Sequence, residues 1–280
     1  MANENLKNTN ISVLMSVYKN DKAEWLKLAV ESVINQTKKP EEVVLIIDGP
    51  IGEELRGAVQ ELQAKYAEIK TFQNEKNLGL GLTLQHGIQK CKNEIVARMD
   101  SDDYSVPTRF EIELEYMLKN NLDLVGSSVK EFMGDVNNVV ATKTVPTTQE
   151  AIKKYSKTRN PFCHPSVMFK KSAVLAAGNY IDMKLCEDYY LWVRMLQNNC
   201  KVGNIAESLV YMRTSEDMYK RRGGRSYYNS QKQLLKYMKK TKYIGTFTYL
   251  KSCCARFFVQ VMLPNSLRQK MYLKKLRAKA

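Results

Sequence analysis

The chain has no apolar run long enough to cross a bilayer and few of the residues on which common hydrolases depend. No uncharged apolar stretch reaches the roughly 20 residues that a membrane-spanning helix needs, so we expect any membrane contact to be peripheral. The first residues also lack the apolar core of a signal peptide. With two histidines, and no Ser or Cys in a nucleophile-elbow pattern, a hydrolase triad is not expected.

Paired cysteines and phosphate-binding glycine loops are absent as well. The six cysteines show neither CxxC spacing nor the density of a disulfide scaffold, and reduced thiols in the cytoplasm fit this pattern best. The stretch at 77–81 is too short for a dinucleotide fingerprint or a Walker loop. We interpret it as a turn that leads into the N-terminus of a helix.

Acidic residues are missing from the end of the chain. None of the 29 acids lies beyond Asp217, whereas residues 212–280 carry 18 of the 44 Lys and Arg residues. The net charge is +15, so the whole excess is local. A basic tail on a nearly neutral body indicates an anionic partner such as nucleic acid or the cytoplasmic leaflet, or else solvated helix faces.

Strand-like and helix-like runs alternate in the first hundred residues. Strands are predicted at 11–17, 42–47, 69–73 and 95–99, and helices at 23–35, 52–65 and 80–90. Asp21 and Glu24 read as a capping box for the first helix. Because the apolar runs are nearly continuous, we expect a parallel sheet with helices on both faces.

The pattern is less regular beyond residue 103. It predicts helices at 107–119, 187–197, 226–240 and 246–263, a helix ending near Lys157 with a Thr147/Glu150 capping box, strands at 124–132, 167–169, 202–205 and 209–212, and a helix ending at Gly178. We therefore place residues 1–213 in one α/β domain, in which the alternation is regular at 1–103 and less regular at 104–213. Residues 214–280 form a basic helical extension.

Parallel strands joined by right-handed crossovers end at one edge of the sheet, and ligands of open α/β sheets bind there. The residues that follow the predicted strand ends are small, polar or acidic: Ser16, Tyr18, Asp48, Gly49, Asn74, Asn77, Asp100, Ser101 and Asp102. We expect them to meet at this edge and form a binding site.

Three carboxylates fall within four residues, at Asp100, Asp102 and Asp103. Mutual repulsion raises the energy of such a cluster, which is usually offset by a hard cation, by helix N–H groups or by solvation. Asp102 is the candidate ligand for Mn²⁺ or Mg²⁺, with Asp100 at a nucleoside ribose or the same ion. The alternative is that these acids and Ser101 cap the following helix.

A second acidic pair, Glu187 and Asp188, opens a predicted helix, where the helix dipole favours acids regardless of function. In a transferase, Asp188 would take the proton of an acceptor hydroxyl, and Glu187 would orient it or the acceptor. We interpret His164 as a hydrogen-bonded loop residue, with contact to a pyrophosphate or the metal as the alternative.

The tail is amphipathic. One side of the helix predicted at 246–263 carries Phe247, Leu250, Cys254, Phe257, Phe258 and Val261, and the other carries Ser252, Arg256 and Gln260. Basic amphipathic helices lie in the interface of anionic membranes, and they also pack on protein bodies. The sequence leaves both possibilities open.

Taken together, the motifs resemble glycosyltransferase family 2, over roughly residues 12–213. The matching parts occur in the family's order at 16–20, 48–49, 77–79, 97–103, 164–169, 178–180 and 187–194. The resemblance implies the GT-A fold, with a nucleotide-sugar half at about 1–103 and an acceptor half at about 104–213. It further implies a cytoplasmic enzyme of surface polysaccharide (O-antigen or capsule) biosynthesis. It also implies a nucleoside diphosphate sugar donor, a UDP-linked hexose foremost, with Mn²⁺ or Mg²⁺, and a polyprenyl-diphosphate-linked saccharide acceptor at the inner membrane face.

The resemblance also implies roles for individual residues. Asp188 matches the family's general base, and Asp100 and Asp102 match its metal motif. The residues expected at the donor are Ser16, Tyr18, Asp48, Asn77, Arg98, Asp100 and Ser101, with Asp48 reading the base. As a separate hypothesis, Arg221 and Arg222 close over the diphosphate, since guanidinium groups suit that geometry.

The chain departs from the family pattern at two places. Ile47 stands where the family usually has the first of two acids, which leaves base recognition to Asp48 alone. The Gln-x-x-Arg-Trp signature of processive synthases is absent after the Glu187–Asp188 pair. Its absence favours transfer of one sugar per encounter.

Two other functions compete with this interpretation. A non-enzymatic nucleic-acid-binding protein would use the basic tail, which carries no recognised nucleic-acid motif. A sugar nucleotidyltransferase would share the sheet and a metal carboxylate, but it normally has a Gly-rich basic signature near the first strand, where residues 14–20 offer only Lys19. Release of nucleoside diphosphate indicates transfer, and release of pyrophosphate indicates activation.

Overall fold

The computed structural model describes residues 6, 8–215, 223–265, 267, 268 and 271. Within them the strands are β1 Ile11–Val17, β2 Glu42–Ile47, β3 Ile69–Gln73, β4 Ile95–Arg98, β5 Tyr104–Ser105, β6 Leu124–Phe132, β7 Val139–Lys143, β8 Met168–Lys170 and β9 Val202–Arg213. The helices are α1 Ala23–Ile34, α2 Glu53–Lys65, α3 Leu80–Lys90, α4 Arg109–Lys119, α5 Gln149–Tyr155, α6 Lys171–Ala176, α7 Glu187–Gln197, α8 Gly224–Lys240 and α9 Thr246–Phe257, with a 3₁₀ turn at His164–Ser166 and a π turn at Phe258–Met262.

The described strands form one sheet in the order β3-β2-β1-β4-β8-β6-β9-β5, with β7 paired to β6. The half made of β1 to β4 is parallel, as predicted. Beyond β4 the sheet is mixed, because β8 runs antiparallel to both β4 and β6 while β9 runs parallel to β6. The carboxyl end of β4 therefore lies near the middle of the sheet, between the two halves.

Residues on β1 and β2 are buried on both faces, which explains their unbroken apolar runs. Val13 and Met15 face a core layer built on α1, α2 and α4, whereas Leu14, between them, faces a layer built on α3 and α7. Alternation along a strand sends successive side chains to opposite faces. Both layers need apolar residues, so no polar face appears in these strands.

Three local predictions were wrong. The strands expected at 202–205 and 209–212 are one strand, β9, in which the polar break is a bulge with Ala206 and Glu207 exposed opposite β6. Helix α5 is capped by Thr148, whose hydroxyl accepts the Ala151 N–H at 3.3 Å, rather than by Thr147. Asp21 does not cap α1, which begins after Lys22 without a side-chain cap.

The basic extension packs on the body through α8. Leu234, Leu235 and Met238 are buried with Tyr189 and Val193 of α7, and with Ile244 and Cys253 from the turn and helix that follow. The sequence left open whether the tail helices bind a membrane or pack on the body, and α8 packs on the body. Within the part of the chain that the structure describes, no helix is both long and apolar enough to span a bilayer.

A fully buried ion pair holds the end of β4 in place. Arg109 Nε donates to Glu113 Oε2 at 3.0 Å, and Arg109 Nη2 donates to the carbonyl oxygens of Arg98 (2.9 Å) and Val167 (3.3 Å). Burial raises the pKa of Glu113 to about 7, although Arg109 opposes the shift. Arg109 thus connects α4 to the backbone of β4 and to the residue that precedes β8.

We expect Arg109→Met to lower the free energy of unfolding at pH 8 by about 3 to 5 kcal/mol, because it leaves the buried Glu113 carboxylate without its charged partner. The double variant Arg109→Met/Glu113→Met should be more stable than the single variant, because no charge is left buried alone. It should remain about 1 to 3 kcal/mol less stable than the wild type, because the carbonyl oxygens of Arg98 and Val167 lose their hydrogen-bond donor. Denaturant unfolding midpoints measure both. The single variant should lose less at pH 5, where Glu113 binds a proton, and an equal loss at both pH values would contradict the account.

Candidate active site

The residues that follow β4 form a cluster of oxygen ligands. Carboxylate oxygens of Asp100, Asp102 and Asp103 lie within 4.8 Å of one another. The capping alternative is wrong for these acids, because β5 intervenes and α4 begins only at Arg109, with Thr108 at its N-cap.

The carboxylates are partly shielded from water, which makes their charge costly. Burial, followed by the charges of Asp100 and Asp21, raises the pKa of Asp102 to about 7. Burial and the same cluster raise the pKa of Asp103 well above its usual range. Asp103 Oδ1 accepts the backbone N–H of Arg213 at 2.7 Å, and its buried Oδ2 has no hydrogen-bond partner among the described residues. A hard divalent cation, which prefers carboxylate oxygen, fits this donor set.

Two residues at this cluster were not recognised as site residues from the sequence. Asp21 Oδ2 accepts the Tyr18 backbone N–H at 3.0 Å and the Ser101 hydroxyl at 2.9 Å, and burial raises the pKa of Asp21 to about 6. Arg213 Nε donates to the carbonyl oxygen of Asp102 at 3.0 Å. The contact between Asp21 and Ser101 requires a turn that brings Asp21 to the end of β4. The spacing of residues in the sequence does not predict such a turn.

Arg98, at the end of β4, is almost fully buried and forms an ion pair with Asp100. Its Nε and Nη1 have no hydrogen-bond partner among the described residues. Its charge lowers the pKa of Asp102 and Asp103 on one side and of Glu187 and Asp188 on the other, although burial outweighs it at each. A single guanidinium thus acts on both predicted acidic groups.

Asp48 lies at the end of β2 and is surrounded by donors. Its carboxylate accepts from the side chains of Asn74 and Asn77, both at 2.9 Å, and from the backbone N–H groups of Leu78 (2.8 Å) and Gly79 (3.0 Å). The structure therefore brings together Asp48 and Asn77, as predicted from the strand ends.

Gly49 makes this contact possible. Its φ is +84°, and a Cβ there would lie 2.5 Å from the Asn77 nitrogen, so a side chain is excluded by both backbone conformation and space. Ser16, which was also predicted to contact the nucleotide, lies on β1 beside Ile46 of β2 and is partly buried. Roles for Ser16, Tyr18 and Asp48 at a nucleotide stay predictions.

The second acidic pair opens α7. Asp188 Oδ2 accepts from the Asn160 side chain at 2.6 Å, and Oδ1 accepts from the Tyr189 N–H at 2.6 Å. Burial raises the pKa of Asp188, and burial together with the Asp188 charge raises the pKa of Glu187 to about 7. A carboxylate held in this way, with a pKa moved towards neutrality, is suited to accept a proton.

Helix α3 begins against the same region. A Cβ on Gly81 would lie 2.4 Å from the Ile181 carbonyl oxygen and 3.2 Å from the Glu187 Cβ, so the small residue permits a close approach. The turn at 77–81 therefore lies between the Asp48 carboxylate and Glu187. It contacts the end of β2 on one side and the start of α7 on the other.

His164 is enclosed by aromatic rings. Its Nε2 lies 3.0 Å from the Tyr180 hydroxyl, and its ring lies 6.1 Å from that of Trp192. Burial, and then the charge of Arg98, lowers the pKa of His164 well below its usual value. These contacts match the hydrogen-bonded loop residue that we expected, and a metal role for His164 stays a prediction. Arg221 and Arg222 lie outside the described residues.

Comparison with known proteins identifies the family of this chain. Residues 12–175 match the family described as Glycosyl transferase family 2. An Escherichia coli protein named UDP-Gal:alpha-D-GlcNAc-diphosphoundecaprenol beta-1,3-galactosyltransferase is 38% identical over 267 residues, covering 95% of this chain and 96% of that protein. The amylovoran biosynthesis glycosyltransferase AmsE of Erwinia amylovora is 35% identical over 268 residues, covering 94% and 98%.

Among solved structures, S. aureus TarS 1-349 in complex with UDP-GlcNAc matches with a TM-score of 0.67 at 15% identity, covering 96% of this chain and 76% of that one. At this identity the likeness shows the fold alone, and it confirms the predicted GT-A fold. From the family match and the two relatives, the chain belongs to glycosyltransferase family 2 and is an enzyme.

Proposed function

We propose that this glycosyltransferase moves a hexose from a UDP-sugar to a hydroxyl group of a polyprenyl-diphosphate-linked saccharide, in the synthesis of a surface polysaccharide at the cytoplasmic membrane face. The observation that carries the proposal is the pairing of an oxygen-ligand cluster after β4 with a separately held carboxylate, Asp188, at the start of α7. The names of the relatives from Escherichia coli and Erwinia amylovora support a UDP-linked donor, a lipid diphosphate acceptor and a role in polysaccharide synthesis.

The chemistry divides between the two acidic groups. Asp188 takes the proton of the acceptor hydroxyl as its oxygen bonds to the anomeric carbon, and the bond from that carbon to the UDP oxygen breaks on the opposite face. Attack opposite to the leaving group inverts the anomeric configuration. Asn160 keeps the Asp188 carboxylate in one orientation. Asp100, Asp102 and Asp103 would hold Mn²⁺ or Mg²⁺, which would offset the charge of the departing diphosphate.

Turnover should require Asp188. With UDP-galactose and a synthetic GlcNAc-diphosphate-lipid, we expect Asp188→Asn to lower kcat by about 100-fold or more, as for loss of a general base, and to leave donor binding unchanged. Asp182→Asn is the matched control, since Asp182 is exposed in the loop before α7. Release of UDP and formation of a β-linked disaccharide lipid are measured.

Parallel reactions with UDP-glucose, UDP-GlcNAc and UDP-GalNAc identify the sugar. An α-linked product, pyrophosphate in place of UDP, or full activity in Asp188→Asn would reject the mechanism. Successive additions to one acceptor would reject transfer of a single sugar per encounter.

Metal binding should be visible as thermal stabilisation without any substrate. Saturating Mn²⁺, at 100 times its Kd, should stabilise the wild type at pH 8 by about 2.7 kcal/mol and should not stabilise Asp102→Asn. Without metal, Asp102→Asn should melt higher than the wild type at pH 8, because a raised carboxyl pKa means that ionisation destabilises the fold. The difference should shrink as the pH falls below about 7 and disappear below about pH 3, where Asp102 is protonated in both the folded and the unfolded state. Equal Mn²⁺ shifts in both proteins would contradict the site.

The pH dependence of turnover should report the second acidic pair. Because the pKa of Glu187 is raised to about 7 and that of Asp188 is raised as well, kcat should fall as the pH drops below about 7 and be constant above it. Asn160→Ala removes a hydrogen bond to the ionised Asp188, so it should move this acidic limb to higher pH. An unchanged limb would show that another group limits the rate.

A further inference from the structure

Helix α9 and the π turn after it present apolar side chains to solvent. Phe247 is 78% exposed, Leu250 54%, Phe258 58% and Met262 62%. With the exposed Cys254 between them, these residues are three or four positions apart and therefore lie on one face. We call Phe247, Leu250, Phe258 and Met262 the outer stripe.

The opposite face of the same segment points to the body and carries polar residues beside Cys253 and Tyr249, which pack with α8. Ser252 and Gln260 are buried there. Arg256 donates to the Thr158 carbonyl oxygen at 2.7 Å and to the Gln231 side chain, and Arg268 donates to the Gln260 carbonyl oxygen at 3.1 Å. An ordinary surface helix buries its apolar side. Here Arg256, Cys253 and Tyr249 keep the inward face on the body, so the larger apolar side chains of the outer stripe are left in solvent.

The surroundings of the stripe are cationic. Lys240, Lys242 and Lys251 are exposed, and Lys239 Nζ lies 5.1 Å from the centre of the Tyr249 ring on α9. The sequence has no acid beyond Asp217. An apolar stripe bordered by lysines complements the interface of an anionic bilayer, where acyl chains and phosphates lie side by side. A second copy would bring two acid-free cationic faces together, and nucleic acid would leave the aliphatic side chains of Leu250 and Met262 in water.

We propose that the outer stripe inserts into the interface of an anionic lipid bilayer, with the surrounding lysines at the headgroups. The inference deepens the proposed function and takes from it only the lipid-linked acceptor. Arg256 on α9 binds the carbonyl oxygen of Thr158, two residues before the Asn160 that holds Asp188. A stripe seated in the membrane would therefore hold the acceptor-side carboxylate close to the bilayer that carries the acceptor.

Co-sedimentation of the full chain with vesicles tests this without donor or acceptor. The wild type should bind vesicles of phosphatidylethanolamine and phosphatidylglycerol, and bind phosphatidylcholine vesicles more weakly. Phe247→Ser/Leu250→Ser/Phe258→Ser should lower partitioning to the anionic vesicles by about tenfold or more, because buried apolar area is lost. Leu118→Ser/Leu175→Ser is the matched control, since Leu118 and Leu175 are exposed on α4 and α6, and it should bind like the wild type.

A second variant tests the cationic border. Lys239→Gln/Lys240→Gln/Lys242→Gln should weaken binding to anionic vesicles by about fivefold or more and leave the weak binding to phosphatidylcholine unchanged. The proposal is overturned if the serine variant binds anionic vesicles like the wild type. It is also overturned if sedimentation velocity without lipid shows a wild-type dimer that the serine variant loses, since a second copy would then cover the stripe.

Transfer assays separate this inference from the proposed function. The serine variant should retain turnover with a short-chain, water-soluble acceptor and lose it by about tenfold with the acceptor embedded in vesicles. A wild type that binds vesicles but transfers no sugar would reject the proposed function and leave the membrane inference standing. Equal turnover of wild type and serine variant on the embedded acceptor would reject the inference.

Discussion

The acidic edge of this enzyme depends on two buried arginines, Arg98 at the end of β4 and Arg109 at the start of α4. Carboxylates placed side by side repel one another, and partial burial makes each charge more costly. Arg98 faces this cluster with an ion pair to Asp100, while Arg109 binds the Arg98 carbonyl oxygen and connects β4 to α4. The Arg98 guanidinium offsets the negative charge of the cluster, and the Arg109 contact fixes the backbone from which the acids project. The site is thus built on the sheet and only completed by its loops.

The same buried environment gives the two acidic groups different chemical properties. Asp102 has its pKa raised by burial and by neighbouring carboxylates, so its ionised form gains most from a cation. Asp188 has its pKa raised by burial, but hydrogen bonds from Asn160 and Tyr189 favour its ionised form. A group whose carboxylate is held by hydrogen bonds and whose pKa is raised suits proton transfer. Two acidic groups that look alike in sequence therefore suit two different roles.

Sequence periodicity predicted the parallel half of the fold because both faces of β1 and β2 are buried, which makes their apolar runs unmistakable. The strand ends likewise predicted that Asp48 and Asn77 would meet. The sequence did not show that Asp21 would turn from α1 towards Ser101, because the same spacing of Asp21 and Glu24 also describes a helix cap. It also divided β9 at Ala206 and Glu207, since a bulge exposes polar residues just as a loop does.

Periodicity reveals that a helix has two faces, and it does not reveal which face turns inward. In α8 the apolar residues Leu234 and Met238 pack on α7, as the hydrophobic effect favours. In α9 the outer stripe faces solvent, and Arg256 on the inward side donates to the Thr158 carbonyl oxygen of the body. Helix α8 packs on α7, which begins with the Glu187–Asp188 pair, and Arg256 of α9 binds the Thr158 carbonyl oxygen, two residues before Asn160. Attachment of the tail to a membrane would therefore also orient Asp188, the carboxylate that we propose as the base.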